Sequence, residues 1–219
     1  MKVDLWLWSL EADTQADRAL LSPDERARAD RFVKARDAAL YIAGRSRLRR
    51  ILAAETGRTP ADLTFDYGPQ GKPSLQNGPA FNLSHAGGMA ALAVCETGVP
   101  GIDIEKIRPV EKEVATRFFS ASENTALASL APDEWLNGFY RCWTRKEAVI
   151  KAVGQGLSMP LDSFDVTLAP DVPAALTRIA GGMAKDWHLT ALDAGPGFMA
   201  ALAMQNYGTP VQVRWRTIG

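Results

Sequence analysis

Apolar and polar positions divide the chain into short, well-marked elements. Residues 3–10 alternate around Trp6 and Trp8 and predict a strand. Ser22-Pro23-Asp24-Glu25 reads as a capping box with proline at the first helical position, so a helix follows to about Val33. A second helix covers 37–56, with Leu40, Ile42, Leu48, Ile51 and Leu52 as its apolar seam, and stops at Gly57. Residues 58–80 are rich in turn formers, including Gly71-Lys72-Pro73. Phe81-Asn82-Leu83-Ser84-His85 is a short alternating strand that runs into Gly87-Gly88. Ser120 and Glu123 frame another capping box. Trp135, Phe139, Cys142, Trp143, Val149, Ile150 and Val153 follow helical spacing and predict a helix from Pro132 to Gly154.

A weak repeat overlies these elements. Met89-Ala90-Ala91-Leu92-Ala93-Val94 recurs as Met199-Ala200-Ala201-Leu202-Ala203-Met204, and Gly87, Gly98 and Pro100 meet Gly197, Gly208 and Pro210 at the same offset. The expected architecture is α+β (α/β): two related α/β subdomains, residues 1–105 and 106–219, arranged as a pseudo-dimer. Two copies do not make a solenoid.

Composition narrows the class. The chain is 47% hydrophobic and 23% charged, which supports an ordinary core. Its formal net charge of +0 argues against general nucleic-acid binding. Residues 26–50 nevertheless carry nine Lys or Arg against Asp30 and Asp37, a local surplus suited to one anionic ligand. Cys95 and Cys142 lie in apolar runs and read as core, without metal spacing. The opening Met1-Lys2-Val3-Asp4 is not a secretory signal, and no run approaches the length of a membrane span. The expectation is a cytosolic, cytoplasmic protein.

The candidate chemistry lies in three segments. In Gly101-Ile102-Asp103-Ile104-Glu105, strand alternation sends both carboxylates to one face and both isoleucines to the other. Two acids at a strand end suit Mg²⁺, a hard cation often held by one or two carboxylates plus substrate phosphates. Trp143 through Lys151 places Glu147 and Lys151 one helical turn apart. Glu147 offers a third metal ligand or a base, and Lys151 a counter-charge for phosphate. In most helices such a pair is only an exposed ion pair worth roughly 0.2–0.5 kcal/mol. The third segment, Ser84-His85-Ala86-Gly87-Gly88, offers a phosphate donor and glycines that admit an anion close to the backbone; His85 is otherwise a hairpin residue. A Ser84–His85 nucleophile pair is disfavoured, since such pairs are assembled across a fold.

Gly71-Lys72-Pro73, Phe81 through His85, Gly101 through Glu105, Arg117-Phe118-Phe119-Ser120, Trp143 through Lys151 and Gly154-Gln155-Gly156-Leu157-Ser158 occur in that order. The series resembles the surfactin-type 4′-phosphopantetheinyl transferases. The resemblance implies transfer of the phosphopantetheine arm of coenzyme A to a serine of an apo acyl-, peptidyl- or aryl-carrier protein, with release of adenosine 3′,5′-bisphosphate. It also implies a pseudo-twofold fold and Mg²⁺ or Mn²⁺ on the diphosphate. By position, Asp103, Glu105 and Glu147 match metal ligands, Glu147 the base on the incoming serine, and Lys151 the cation on the departing phosphate. Ser84 and His85 match phosphate contacts, Lys72 the loop round the adenine end, and Arg45, backed by Arg28 and Arg31, the 3′-phosphate site. Carrier docking is expected between about residues 110 and 130, with a monomer serving secondary metabolism. Two rival readings use the same residues: a metal-dependent diphosphate hydrolase acting on coenzyme A, and a non-catalytic coenzyme A or nucleotide module.

Overall fold

The computed structural model describes residues 1–14 and 16–217, with Leu157 described by its backbone alone. The chain runs through β1 (Lys2–Ser9), α1 (Pro23–Ala29), α2 (Ala35–Thr56), β2 (Phe65–Tyr67), β3 (Pro73–Leu75), β4 (Ala80–Ala86), β5 (Met89–Cys95) and β6 (Gly101–Lys106). It continues through α3 (Lys112–Phe118), α4 (Ala121–Ala128), α5 (Trp135–Val153), β7 (Phe164–Val166), β8 (Leu176–Ile179), β9 (Trp187–Leu192), β10 (Phe198–Gln205) and β11 (Gln212–Trp215). Both capping boxes form, at Ser22/Glu25 and Ser120/Glu123. α1 stops at Ala29, short of the expected Val33, and α5 begins at Trp135 rather than at Pro132.

One sheet has the order β11-β1-β5-β4 and the other β6-β10-β9; β2-β3 and β7-β8 are separate hairpins. Alternation on β1 and β5 sends Trp6, Trp8, Ala90, Leu92 and Val94 towards α2. Their other faces, with Val3, Leu5, Ala91 and Ala93, meet Ile102, Ile104, Ala200 and Leu202 in a shared core between the sheets. Ala201 and Ala203 of β10 pack with Val149 and Ile150 of α5. The repeated hexapeptides are thus the inner strands β5 and β10, covered on both faces. That explains their unbroken apolar run of small residues.

Backbone pairing crosses the 105/106 division. β6 hydrogen-bonds antiparallel to β10, whereas β11, its counterpart at the repeat offset, lies parallel to β1. Neither segment closes its own sheet. Within residues 1–105, side chains tie one sheet to the other: Asn82 Oδ1 accepts the Ile102 N–H at 2.8 Å and Ser84 Oγ the Ile104 N–H at 3.4 Å. The two-residue period of β4 matches that of β6, so alternate side chains of one strand serve alternate amides of the other. Among the described residues, no helix is long and apolar enough to cross a membrane.

Candidate active site

The site forms where β6 crosses α5. Gly101 makes the crossing possible, because a Cβ there would strike Ala148 O and Ala152 N of α5. With the two backbones in contact, the polar face of β6 lies beside the turn that carries Glu147 and Lys151. Lys151 Nζ is 2.6 Å from Asp103 Oδ1 and 2.9 Å from Ser84 Oγ, and Ser84 Oγ donates to Asp103 Oδ1 at 3.0 Å. Asp103 is 3% exposed.

Glu105 and Glu147 are half-buried in the same cluster. Burial, then the Asp103 charge, pushes the Glu105 carboxyl above its usual range, against the pull of Lys151 and Arg108 and a hydrogen bond from Trp143. Burial, then Asp103, likewise raises Glu147; Glu105 adds to the rise and Lys151 opposes it. The strand acids Asp103 and Glu105 thus both act on Glu147 of the helix.

A divalent cation can be tested against this arrangement. Asp103 Oδ2 is buried and has no hydrogen-bond partner. An orphaned carboxylate oxygen in an interior is costly unless a cation or donor meets it. The donor set, carboxylate oxygens only, suits Mg²⁺ or Mn²⁺. Among the described residues no three carboxylate, imidazole or thiol groups are already gathered round one point. Here the Lys151 ammonium occupies Asp103 Oδ1. The residues fit a hard cation in chemistry.

A model of the 4′-phosphopantetheinyl transferase superfamily matches residues 100–205, and one described as 4′-phosphopantetheinyl transferase, N-terminal, matches residues 7–97. The 4′-phosphopantetheinyl transferase HetI of a Nostoc species is 37% identical over 217 residues, covering 94% of this chain and 89% of that protein. The chain belongs to the 4′-phosphopantetheinyl transferase superfamily. A 4′-phosphopantetheinyl transferase of Bacillus subtilis is 34% identical, with 86% and 89% covered, and the transferase Sfp of Bacillus subtilis strain 168 is 37% identical, with 70% and 69% covered. The two family matches meet between residues 97 and 100, just ahead of β6.

The phosphate-binding residues suggested by the family likeness are placed unevenly. His85 reaches solvent at the end of β4. Partial desolvation, then the Lys151 and Arg28 charges, holds its imidazole below the ordinary range. His85 therefore feels both Lys151 and the exposed guanidinium of Arg28, which lies 5.4 Å over the Tyr41 ring. Arg31 is exposed just after α1.

Arg45 is placed otherwise. It is 7% exposed, donates through Nε to Glu25 Oε1 at 2.7 Å, and stacks 4.7 Å over Phe65. Arg49 takes the other oxygen of Glu25 at 2.7 Å. Glu25, at N3 of α1, is thus the buried hub joining α1 to α2, and Arg45 is committed to it. Much of the basic stretch is similarly neutralised: Arg47 pairs with Asp13 and Arg36 with Glu11. The local surplus in the sequence shrinks at the surface to Arg28, Arg31 and their neighbours. Gly87 and Gly88, with φ of 55° and 84°, form the tight turn between β4 and β5. Positive φ at both central residues is the demand of a two-residue hairpin, and it accounts for the pair without an anion.

Lys72 is also turned inward. Its ammonium donates to Lys151 O and, at 3.3 Å, to Pro100 O. Two contributors escaped sequence reasoning: Asn82, and Gly101 as a contact residue. The spacing of Asn82 with Ser84 was the one available signal; the role of Gly101 depends on what packs against it.

Proposed function

We propose that the β6–α5 crossing is the site at which the phosphopantetheine arm of coenzyme A passes to a carrier-protein serine. The serine oxygen bonds to the phosphorus that bears the arm, and the diphosphate bond breaks. Adenosine 3′,5′-bisphosphate leaves with the bridging oxygen. Glu147 accepts the serine proton. Its raised affinity for protons, from burial beside Asp103, suits a general base, a role typically worth roughly 10²–10⁴-fold. Lys151 neutralises charge on the departing phosphate, and Ser84 orients the Lys151 ammonium. Arg28 supplies positive charge and His85 a hydrogen-bond donor on the open side. Asp103, Glu105 and Glu147 would hold Mg²⁺ or Mn²⁺, which supplies charge neutralisation on the diphosphate when bound.

The observation that carries this reading is the Lys151 ammonium on Asp103 beside two raised carboxyls, at a β6–α5 crossing that lies within the residues 100–205 matched by the superfamily model. Phosphoryl transfer needs positioned charge more than covalent help from the protein. The relatives named above are transferases, which lends the coenzyme A hydrolase and the passive binding module no support. We take the protein to act as a monomer in the cytosol, without nucleic acid or membrane. Polyketide and nonribosomal-peptide carriers are the first substrates to try, beside a fatty-acid carrier.

The test is incubation with coenzyme A, Mg²⁺ and apo carriers, read by mass spectrometry of the carrier. A gain equal to the arm is expected. Glu147→Gln should lose at least about 100-fold in kcat with little change in coenzyme A affinity. Release of free phosphopantetheine without loading, or full turnover by the variant, overturns the assignment.

A further inference from the structure

Two sequence motifs lie outside the carboxylate cluster of the β6–α5 crossing: Gly71-Lys72-Pro73 and Gly154-Gln155-Gly156-Leu157-Ser158. In the fold they meet. The loop between β2 and β3 is braced internally, since Gly71 N–H donates to Gly68 O at 2.8 Å and Gly68 N–H to Lys72 O at 3.0 Å. It lies over the C-terminal end of α5, where a Cβ on Gly156 would stand 3.3 Å from Gln70 Cβ. A larger residue at 156 would press on the loop. From this braced loop the Lys72 side chain enters the interior.

Its two acceptors are informative. α5 ends at Val153, and Gly154 N–H closes on Ile150 O at 2.9 Å. Lys151 O is therefore among the last carbonyls that a helix leaves without an internal partner. A cation there also meets the negative end of the helix dipole. Lys72 satisfies this carbonyl, which belongs to the residue whose own ammonium rests on Asp103. Its second acceptor, Pro100 O, immediately precedes Gly101, the point where β6 touches Ala148 and Ala152 of α5. One side chain thus grips both sides of the crossing on which the site is built.

We propose that Lys72 is a positioning residue whose ammonium clasps the end of α5 to the start of β6 and so sets Lys151 against Asp103. It works through backbone carbonyls and does not touch coenzyme A. Burial holds its ammonium down to about 8, in keeping with a head group withdrawn from water. The clasp also gives the two motifs a common purpose: one supplies the lysine, the other the narrow turn beneath its loop.

The functional consequence rests on the transfer reading, and the structural one does not, so two measurements separate them. In the ligand-free protein, amide exchange of Ala152, Val153 and Gly154 should speed up by about tenfold or more in Lys72→Met, with Phe139 to Ala148 unchanged. In carrier loading, the same variant should lose about tenfold or more in kcat, since small misplacements cost that much. Its KM for coenzyme A should stay within about threefold of wild type, because no ligand contact is removed. Lys72→Arg, which keeps the charge and the donors, should recover most of kcat. Should Lys72→Met not fold, Lys72→Gln, which falls short of both carbonyls, is judged by the same criteria. Unaltered exchange at the end of α5 overturns the clasp. A raised KM at unchanged kcat overturns it too, by making Lys72 a ligand contact. Failure of the wild-type protein to load any carrier overturns the transfer reading instead, while exchange still decides on the clasp.

Discussion

Lys146 lies one residue from Glu147, about 100° further round α5, and faces the core. It is 0% exposed. Its ammonium donates to Leu161 O at 2.7 Å and Phe164 O at 2.6 Å, lies 4.2 Å from the centre of the Phe164 ring, and pairs with Glu123 at 2.8 Å. Glu123, 2% exposed, accepts the Ser120 N–H of its own capping box and the Val166 N–H of β7, both at 2.9 Å. The pair therefore joins α4, α5 and β7. Lys146→Met keeps the length of the side chain and removes its charge, leaving the Glu123 carboxylate buried without a counter-ion. Breaking such a pair costs about 3–5 kcal/mol. In a domain of this size each kcal/mol lowers Tm by about 2–4 °C, so a fall of about 6–20 °C is expected. Urea titration followed by tryptophan fluorescence measures the free energy, and a thermal melt the shift. Adding Glu123→Gln removes the stranded charge, so the double variant should lose less than the sum of the singles by about 0.5–3 kcal/mol. A Lys146→Met melt within about 2 °C of wild type, or strict additivity in the cycle, would refute this account of the pair.

Further outcomes follow from the same contacts. Gly101→Ala drives a methyl into Ala148 O and Ala152 N, so stability should fall by about 1–3 kcal/mol and kcat with it; a fully active, equally stable variant would show that the crossing tolerates separation. Lys72 titrates near 8 when folded and near 10.4 when unfolded, so the unfolded chain binds more protons between those values. Wild-type stability should therefore fall as pH drops from about 10.4 towards 8, and this component should be missing from Lys72→Met; equal pH slopes in urea titrations would contradict it. Arg45→Ala removes one of two guanidiniums from the buried Glu25 carboxylate and should act mainly on the melting temperature, whereas Arg28→Ala should leave the melt alone and raise KM for coenzyme A. The reverse pattern would return Arg45 to the ligand.

The elements were legible because they are local. A capping box needs only residues three apart, and the faces of β6 and α5 follow from side-chain period alone. The site acids were legible for the same reason: alternation placed Asp103 with Glu105, and one helical turn placed Glu147 with Lys151. The motif series added the chemistry. The charges were harder to read. Arg28 and Arg45 look alike in the basic stretch, yet one is exposed over the Tyr41 ring and the other is held by Glu25, twenty residues earlier.

The chain by itself determined β1, β4, β6, α1, α2 and α5, and which acids and lysine share a face; β2, β3, β7, β8, β9 and β11 were not read from it. Only the tertiary structure decided that β6 joins β10, that Asn82 and Ser84 serve its free amides, that Lys72 closes the end of α5, and that Lys151 rests on Asp103. These choices depend on groups some 20 to 100 residues apart meeting at one point. A long side chain takes whichever partner the packing leaves within reach, and local periodicity carries no information about that partner.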